Sequence, residues 1–263
     1  MAGDDNSNPK GTYLYSVVPA EAVDKLKLDV EGIDGAEVRP LVCGPLAAIV
    51  SDAEKTELRP ERKNLSAHSA VLRALMDQTS LLPVAFGVVA GSEREVRELL
   101  ADHESEMVEQ LDGVKGKVEM GLRGLLRVPD AFRYFVEKFP DLGKMRDETF
   151  SGGNPSREQM IELGQAFSET LEQFQNDSAD EAEGRLQSVG KVRVNDPRNE
   201  EEALNLAVLV PREALDDFTR AVEELAPSLD ENIELQVTGP WPPYNFVDLR
   251  IHAAGEEEGE EAR

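Results

Sequence analysis

Three features of the sequence predict an α+β fold in two domains. The stretch Leu81–Val89 is the most apolar passage of a heavily charged chain, rich in valine and framed by helical patterns over Ala67–Gln78 and Glu93–Leu111. It reads as a strand buried on both faces at the centre of a helix, strand, helix unit, with Pro83 near its beginning because proline offers no ladder donor. The same kind of content, strands with helices beside them, recurs after residue 127 without any fixed repeat. Finally, 263 residues suffice for two ordinary hydrophobic cores.

Each element has its own justification. Residues 1–11 are polar and acidic and are expected to be a disordered arm. Thr12–Val18 carries Tyr13, Tyr15 and Val17 on one face and Leu14 on the other, as a strand does, and Pro19 stops it. A short helical turn fits Glu21–Leu26. Strands fit Glu37–Leu41 and Pro45–Val50, with Cys43 and Gly44 turning between them. The following helix places His68, Val71, Leu72, Leu75 and Met76 on one side. Ser92 and Glu95 have the spacing of a capping box, and Val96, Leu99, Leu100, His103, Met107 and Leu111 extend that helix to Gly113. In Lys117–Leu122, Val118, Met120 and Leu122 alternate with Lys117 and Glu119, which predicts a half-buried strand with Glu119 facing water.

Residues 12–127 thus form the first predicted domain and 128–253 the second. Asp130 caps a helix bearing Phe132, Phe135, Val136 and Phe139, closed by Pro140, and Asp141–Asn154 reads as a loop. From Pro155 a stripe of Met160, Leu163, Phe167, Leu171 and Phe174 predicts a longer helix that fades after Gln175 into a solvated acidic segment. Strands are expected at Ser188–Val194, Ala203–Val210, Ile233–Thr238 and Phe246–Ile251, with a helix at Arg212–Leu225. Residues 254–263, with five glutamates from Glu256 on, form an acidic tail predicted to be disordered.

Charge narrows the function classes. Against 53 acidic residues stand 28 basic ones, 10 of them lysine and 18 arginine, for a formal net charge of −25. Such a surface repels nucleic acid and anionic membranes, which need basic patches. The charge suits either a basic partner or a protein kept hydrated in a salty cytoplasm and stabilised as salt screens its self-repulsion, and the spread of the acid along the chain favours the second. Residues 1–126 carry 22 acids against 14 bases and residues 127–263 carry 31 against 14, nets of −8 and −17. A single cysteine, Cys43, suits a reducing compartment, and no apolar run approaches the ~20 residues of a membrane-spanning helix.

No catalytic, cofactor-binding or metal-binding residue is expected. Nucleophilic catalysis requires a nucleophile, a base and an orienting group, and the chain offers Cys43, His68, His103 and His252 without motif spacing. Gly121–Gly124 and Gly152–Gly153 lack the intervals of a phosphate-cradling loop. One segment stands out. Gly239–Phe246 (Gly-Pro-Trp-Pro-Pro-Tyr-Asn-Phe) packs three prolines and three aromatic residues into eight positions. Proline holds a backbone in one geometry at low entropic cost, so Trp241 and Tyr244 either plug the edge of the core or contact a partner.

These residues carry a resemblance. Tyr13-Leu14-Tyr15, the helix of His68, Val71 and Leu72, Leu81–Gly87 and the Gly239–Phe246 motif, in this order over residues 12–252, resemble the GvpF/GvpL family of gas vesicle proteins. Ala85 and Val88 stand where that family usually has arginine and threonine. The resemblance implies a two-domain α+β protein whose first domain has a ferredoxin-like sheet, without catalysis or cofactors. It further implies an accessory or minor structural protein of gas vesicle assembly in the cytoplasm, contacting the hydrophobic shell protein and other accessory proteins. The acidic composition points to a haloarchaeal member, and the length leans to the L paralogue. A rival expectation, a small-molecule-sensing ferredoxin-like regulatory protein, requires a pocket with convergent polar groups.

Overall fold

The computed structural model describes residues 11–54 and 58–249, so residues 1–10 of the expected arm, the acidic tail and His252 lie outside the described residues, while Gly11, expected in the arm, opens the first strand. The chain divides into two compact units, residues 1–119 with 241–263 and residues 120–240. It passes from the first to the second within one strand and returns within another.

In the first unit, β1 (Gly11–Pro19) is buried along almost its whole length and is the central strand. It pairs antiparallel with β3 (Leu46–Ala53), which pairs with β2 (Arg39–Cys43). On its other side β1 meets two short strands, β4 (Leu82–Pro83) and β5 (Val89–Ala90). The order β2-β3-β1-β4 with antiparallel neighbours is that of a ferredoxin-like sheet. Its first crossover is reduced to 3-10 turns at Ala20–Lys25 and Ile33–Gly35, and its second is α1 (Arg62–Met76).

The passage Leu81–Val89 is therefore not the central strand that its composition predicts. Leu81, Leu82, Val84 and Val89 are buried as expected, but the backbone turns between them, with Gly87 at a φ of 97°. Burial on an edge against β1 selects the same apolar residues as burial in a sheet centre. Pro83 and Gly87 prevent a continuous ladder.

The helix expected over Glu93–Leu111 is two helices, α2 (Glu93–Asp102) and α3 (Glu104–Gly113), joined at His103. At its start, Ser92 Oγ accepts from the Glu95 amide at 3.3 Å, while the Glu95 carboxylate accepts from the Gly91 amide at 2.8 Å. The break turns His103 outward, where it is exposed instead of sitting on the apolar face.

In the second unit, β6 (Lys117–Leu126, begun in the first) lies in a four-stranded sheet of order β7-β8-β6-β9. Its other strands are β7 (Lys191–Val194), β8 (Glu202–Pro211) and β9 (Ile233–Trp241). Gly124 of β6 is required by packing, since a Cβ there would lie 2.8 Å from Leu204 and 2.9 Å from Ile233. α4 (Ala131–Lys138) starts at Asp130, whose carboxylate caps the Arg133 amide.

Two expectations fail beyond it. Asp141–Asn154 is mostly helix, α5 (Pro140–Ser151), because Pro140 opens that helix at its first turn instead of only closing α4. α6 (Arg157–Leu186) runs eleven residues past the predicted fade after Gln175. Its second half buries Ser178, Ala179, Ala182 and Leu186 in the core with Leu206, Val208 and Phe218. Small residues let a helix lie close to a sheet while contributing little to a hydrophobic stripe, so periodicity overlooks them. α7 (Leu215–Leu225) completes this core through Phe218, Val222 and Leu225. The strand expected from Phe246 is a 3-10 turn, Tyr244–Phe246, followed by irregular chain to residue 249.

Candidate functional site: rings and the proline-rich segment of the first unit

The most organised polar cluster of the first unit grows from β1. Tyr13 and Tyr15 are fully buried, their ring centroids 4.7 Å apart, and a β-bulge falls between Leu14 and Ser16 in the register with β3. α1 brings His68 against both, its ring stacked on Tyr15 and edge-on to Tyr13, and Phe86 adds a further edge. The turn containing Gly87 serves this cluster, since its amide donates to the Tyr13 hydroxyl at 3.2 Å.

The hydrogen bonds form a chain. The Tyr13 hydroxyl accepts from Gly87 and shares a 2.9 Å bond with His68 Nδ1, and the other ring nitrogen, Nε2, shares a 3.3 Å bond with the Tyr244 hydroxyl. Tyr15 accepts from the Ile33 amide at 2.8 Å and shares a 2.9 Å bond with Ser51. Burial pushes the His68 pKa down to about 4, against a backbone bond to Val84 that favours its charged form, so the ring is neutral near pH 7. Burial likewise raises Tyr13 and Tyr15, and raises Tyr244 to about 12 with help from the nearby Glu119 carboxylate. These hydroxyls therefore stay protonated near pH 7.

Glu119 fixes the next residue of the segment. Instead of facing water, its carboxylate is 6% exposed and accepts from the Asn245 amide at 2.8 Å and from Asn245 Nδ2 at 2.7 Å. Gln110 then exchanges two hydrogen bonds with the backbone of Asp248. Tyr244, Asn245 and Asp248 are thereby tied down at three successive points. Trp241 remains 42% exposed, and Tyr244, with its hydroxyl turned inward, still leaves 43% of its surface in water. A lone alternation pattern put Glu119 on the wrong face; the signal that could have corrected it is the asparagine beside Tyr244, which needs a partner when held in a rigid segment.

The remaining candidates do not assemble chemistry. Cys43, at the end of β2, donates to the Arg97 carbonyl at 3.6 Å. Among the described residues, no three His, Cys, Asp or Glu side chains are placed to hold a metal ion. A cleft of about 590 Å³ in the first unit is lined by Lys25, Leu46, Gln78, Ser80, Leu111 and Lys115, among others. Gln78 is occupied by backbone groups of Lys27 and Ala74, and Ser80 accepts from the Gly116 amide. Its lysines are exposed at the rim, so the polar groups do not converge.

The family model described as gas vesicle synthesis protein GvpL/GvpF matches residues 11–248. The chain belongs to the GvpL/GvpF family. Its relatives include gas vesicle protein F of a Streptomyces, 30% identical over 238 residues, covering 90% of this chain and 99% of that one. Gas vesicle protein F1 of Halobacterium salinarum is 28% identical with 94% and 97% coverage, and protein L1 of that organism is 23% identical with 94% and 93%. The fold matches the crystal structure of GvpF from Anabaena at a TM-score of 0.77 and 25% identity, covering 91% of this chain and 99% of that one. The structure of GvpF from Microcystis aeruginosa matches at 0.75 and 24%, with the same coverage. The segment Gly239–Phe246, held by His68 and Glu119, lies within the matched residues. No helix among the described residues is long and apolar enough to cross a membrane.

Proposed function

We propose that this chain is a non-enzymatic accessory protein of gas vesicle assembly that holds the hydrophobic shell subunit in the cytoplasm before or during its addition to the vesicle, and that Trp241 and Tyr244 contact that partner. The observation that carries the reading is the anchored segment itself. Three hydrogen-bonded ties immobilise Tyr244, Asn245 and Asp248, while Trp241 stays exposed. A rigid, exposed tryptophan loses little entropy when covered, and such residues dominate binding energy at interfaces. A shell subunit exposes apolar surface until it assembles, and that surface is what an accessory protein would shield. Other accessory proteins of the vesicle are further partners on this reading. The small-molecule-sensing alternative draws no support from the cleft, whose inward polar groups already bond to backbone.

The test is co-purification of the co-expressed shell protein with the full chain and with a Trp241→Ala variant. The variant is expected to retain its fold by circular dichroism and to recover at most about a tenth of the shell protein, as loss of an interface hot spot of about 2 kcal/mol implies. Undiminished recovery removes Trp241 from the contact. Absence of recovery with the unaltered chain removes the shell-binding reading.

A further inference from the structure

The first half of α6 carries an apolar surface that its own unit leaves uncovered. Ile161 is 50% exposed and Met160 46%, and Phe150, in the last turn of α5, is 47% exposed. α5 packs back on α6, so Phe150 stands at the same end of the pair. Leu163, Leu171 and Phe174 occupy the adjoining, inner side and are buried with Phe135. The stripe through Ile161, Gly164, Ser168 and Glu172 lies beside that inner side, about 110° round the helix from it, and all four residues are exposed. At Gly164 an added Cβ would meet nothing within 4 Å, so the outer face is open to a closely approaching backbone.

Charge says what could cover it. Glu158, Glu162 and Glu169 fall together on one flank of this stripe, and none forms an ion pair among the described residues. In a chain of net charge −25, an acidic partner would be repelled before contact. From Arg157 to Glu172 the face spans about 24 Å, the length of four helical turns. We propose that this face of α6 docks an amphipathic helix of a partner protein, apolar along one stripe and basic along its flank. The partner's apolar stripe covers Ile161, Met160 and Phe150, Gly164 admits its backbone, and its basic flank pairs with Glu158, Glu162 and Glu169. The proposal does not depend on the contact assigned to Trp241, which lies in the other unit.

Two labelled four-turn peptides with the same leucine stripe test it, one flanked by lysines and one by glutamates, titrated with the full chain and followed by fluorescence anisotropy. The lysine peptide is expected to bind at least about tenfold more tightly than the glutamate peptide. Ile161→Gln and Gly164→Gln are each expected to weaken it about tenfold, with unchanged circular dichroism; glutamine at position 164 favours the helix, so its effect cannot come from unfolding. Reversing Glu158, Glu162 and Glu169 to lysine should invert the preference between peptides. Reversing Glu213, Glu223 and Glu224 on and beside α7 should leave it intact, which separates a docking face from general attraction to an acidic protein. Equal binding of the two peptides, no binding of either, indifference to Ile161→Gln, or an equal loss on reversing the α7 glutamates would each overturn the proposal.

Discussion

Both units contain an aromatic cluster, and the two are built on opposite principles. In the first, Tyr13, Tyr15, His68, Phe86 and Tyr244 surround polar atoms that satisfy one another. In the second, Phe135 touches Phe139, Phe167 and Phe174 with centroids 5.3 to 5.6 Å apart and no polar atom among them. Its polar groups stand at the rim, where Asp230 accepts from Tyr134 at 2.5 Å, from Lys138 and from the Asn232 amide at 2.9 Å, and Lys138 lies over the Phe174 ring. The first cluster trades apolar area for directed bonds that hold a distant segment in place. The second uses area alone and depends on shape.

The largest effect should therefore come from shape. Phe135→Ala removes a fully buried ring from four ring contacts and should cost about 3–5 kcal/mol, seen as early loss of amide protection in α4 and α6 under native-state exchange. A loss below about 1 kcal/mol would mean that the surrounding phenyl rings collapse into the space.

Next in size is the acid response of the first unit. His68 titrates at about 4 in the fold against an ordinary 6.5, so its contribution is complete above pH 6.5 and is lost as pH falls through 4. The difference corresponds to about 3 kcal/mol across that window, for a side chain almost wholly buried. Urea midpoints at stepped pH, followed by Trp241 fluorescence, should decline between pH 6.5 and 4, and His68→Gln should flatten the slope while lowering the plateau. An unchanged slope in the variant would assign the acid response to the carboxylates.

The second unit should respond later and less. Burial alone would raise the Asp230 pKa, but the Lys138, Tyr134 and Asn232 bonds outweigh it and hold the carboxyl at about 2. Its stabilisation is present above the usual carboxylate pKa and disappears as pH falls from 3.8 through 2, worth about 1–2 kcal/mol. Asp230→Asn should remove that step, and amide exchange of α4 below pH 4 is the readout.

Salt should have the smallest effect and should not distinguish the units. Counted by compact unit, residues 1–119 with 241–263 carry 28 acids against 15 bases and residues 120–240 carry 25 against 13, nets of −13 and −12. The asymmetry of −8 and −17 rests on where the division is drawn. Raising potassium chloride toward molar concentration shortens the screening length to ~3 Å and should raise both midpoints together, by a few degrees or about 1 kcal/mol. A level or falling midpoint would indicate carboxylates already paired, against a role in a salty cytoplasm.

Local chemistry was legible in the amino-acid sequence wherever cause and effect lie within a turn or a strand of each other. The β1 run of tyrosines, the Ser92 and Asp130 caps, and the inner stripe of α6 from Leu163 to Phe174, though not its first member Met160, which is exposed, each follow from neighbours a few residues away. Even the proline-rich segment around Trp241 announced itself by composition. Tertiary structure alone decided how that segment is held, because the bonds join residues 55, 126 and 176 positions apart, which no window of sequence brings together. It alone decided that Glu119 is buried, that Leu81–Val89 is an edge instead of a centre, and that the alanine-rich end of α6 is core. Periodicity reports that a side chain leaves water, whereas the partner it meets is fixed only when the sheet has closed around it.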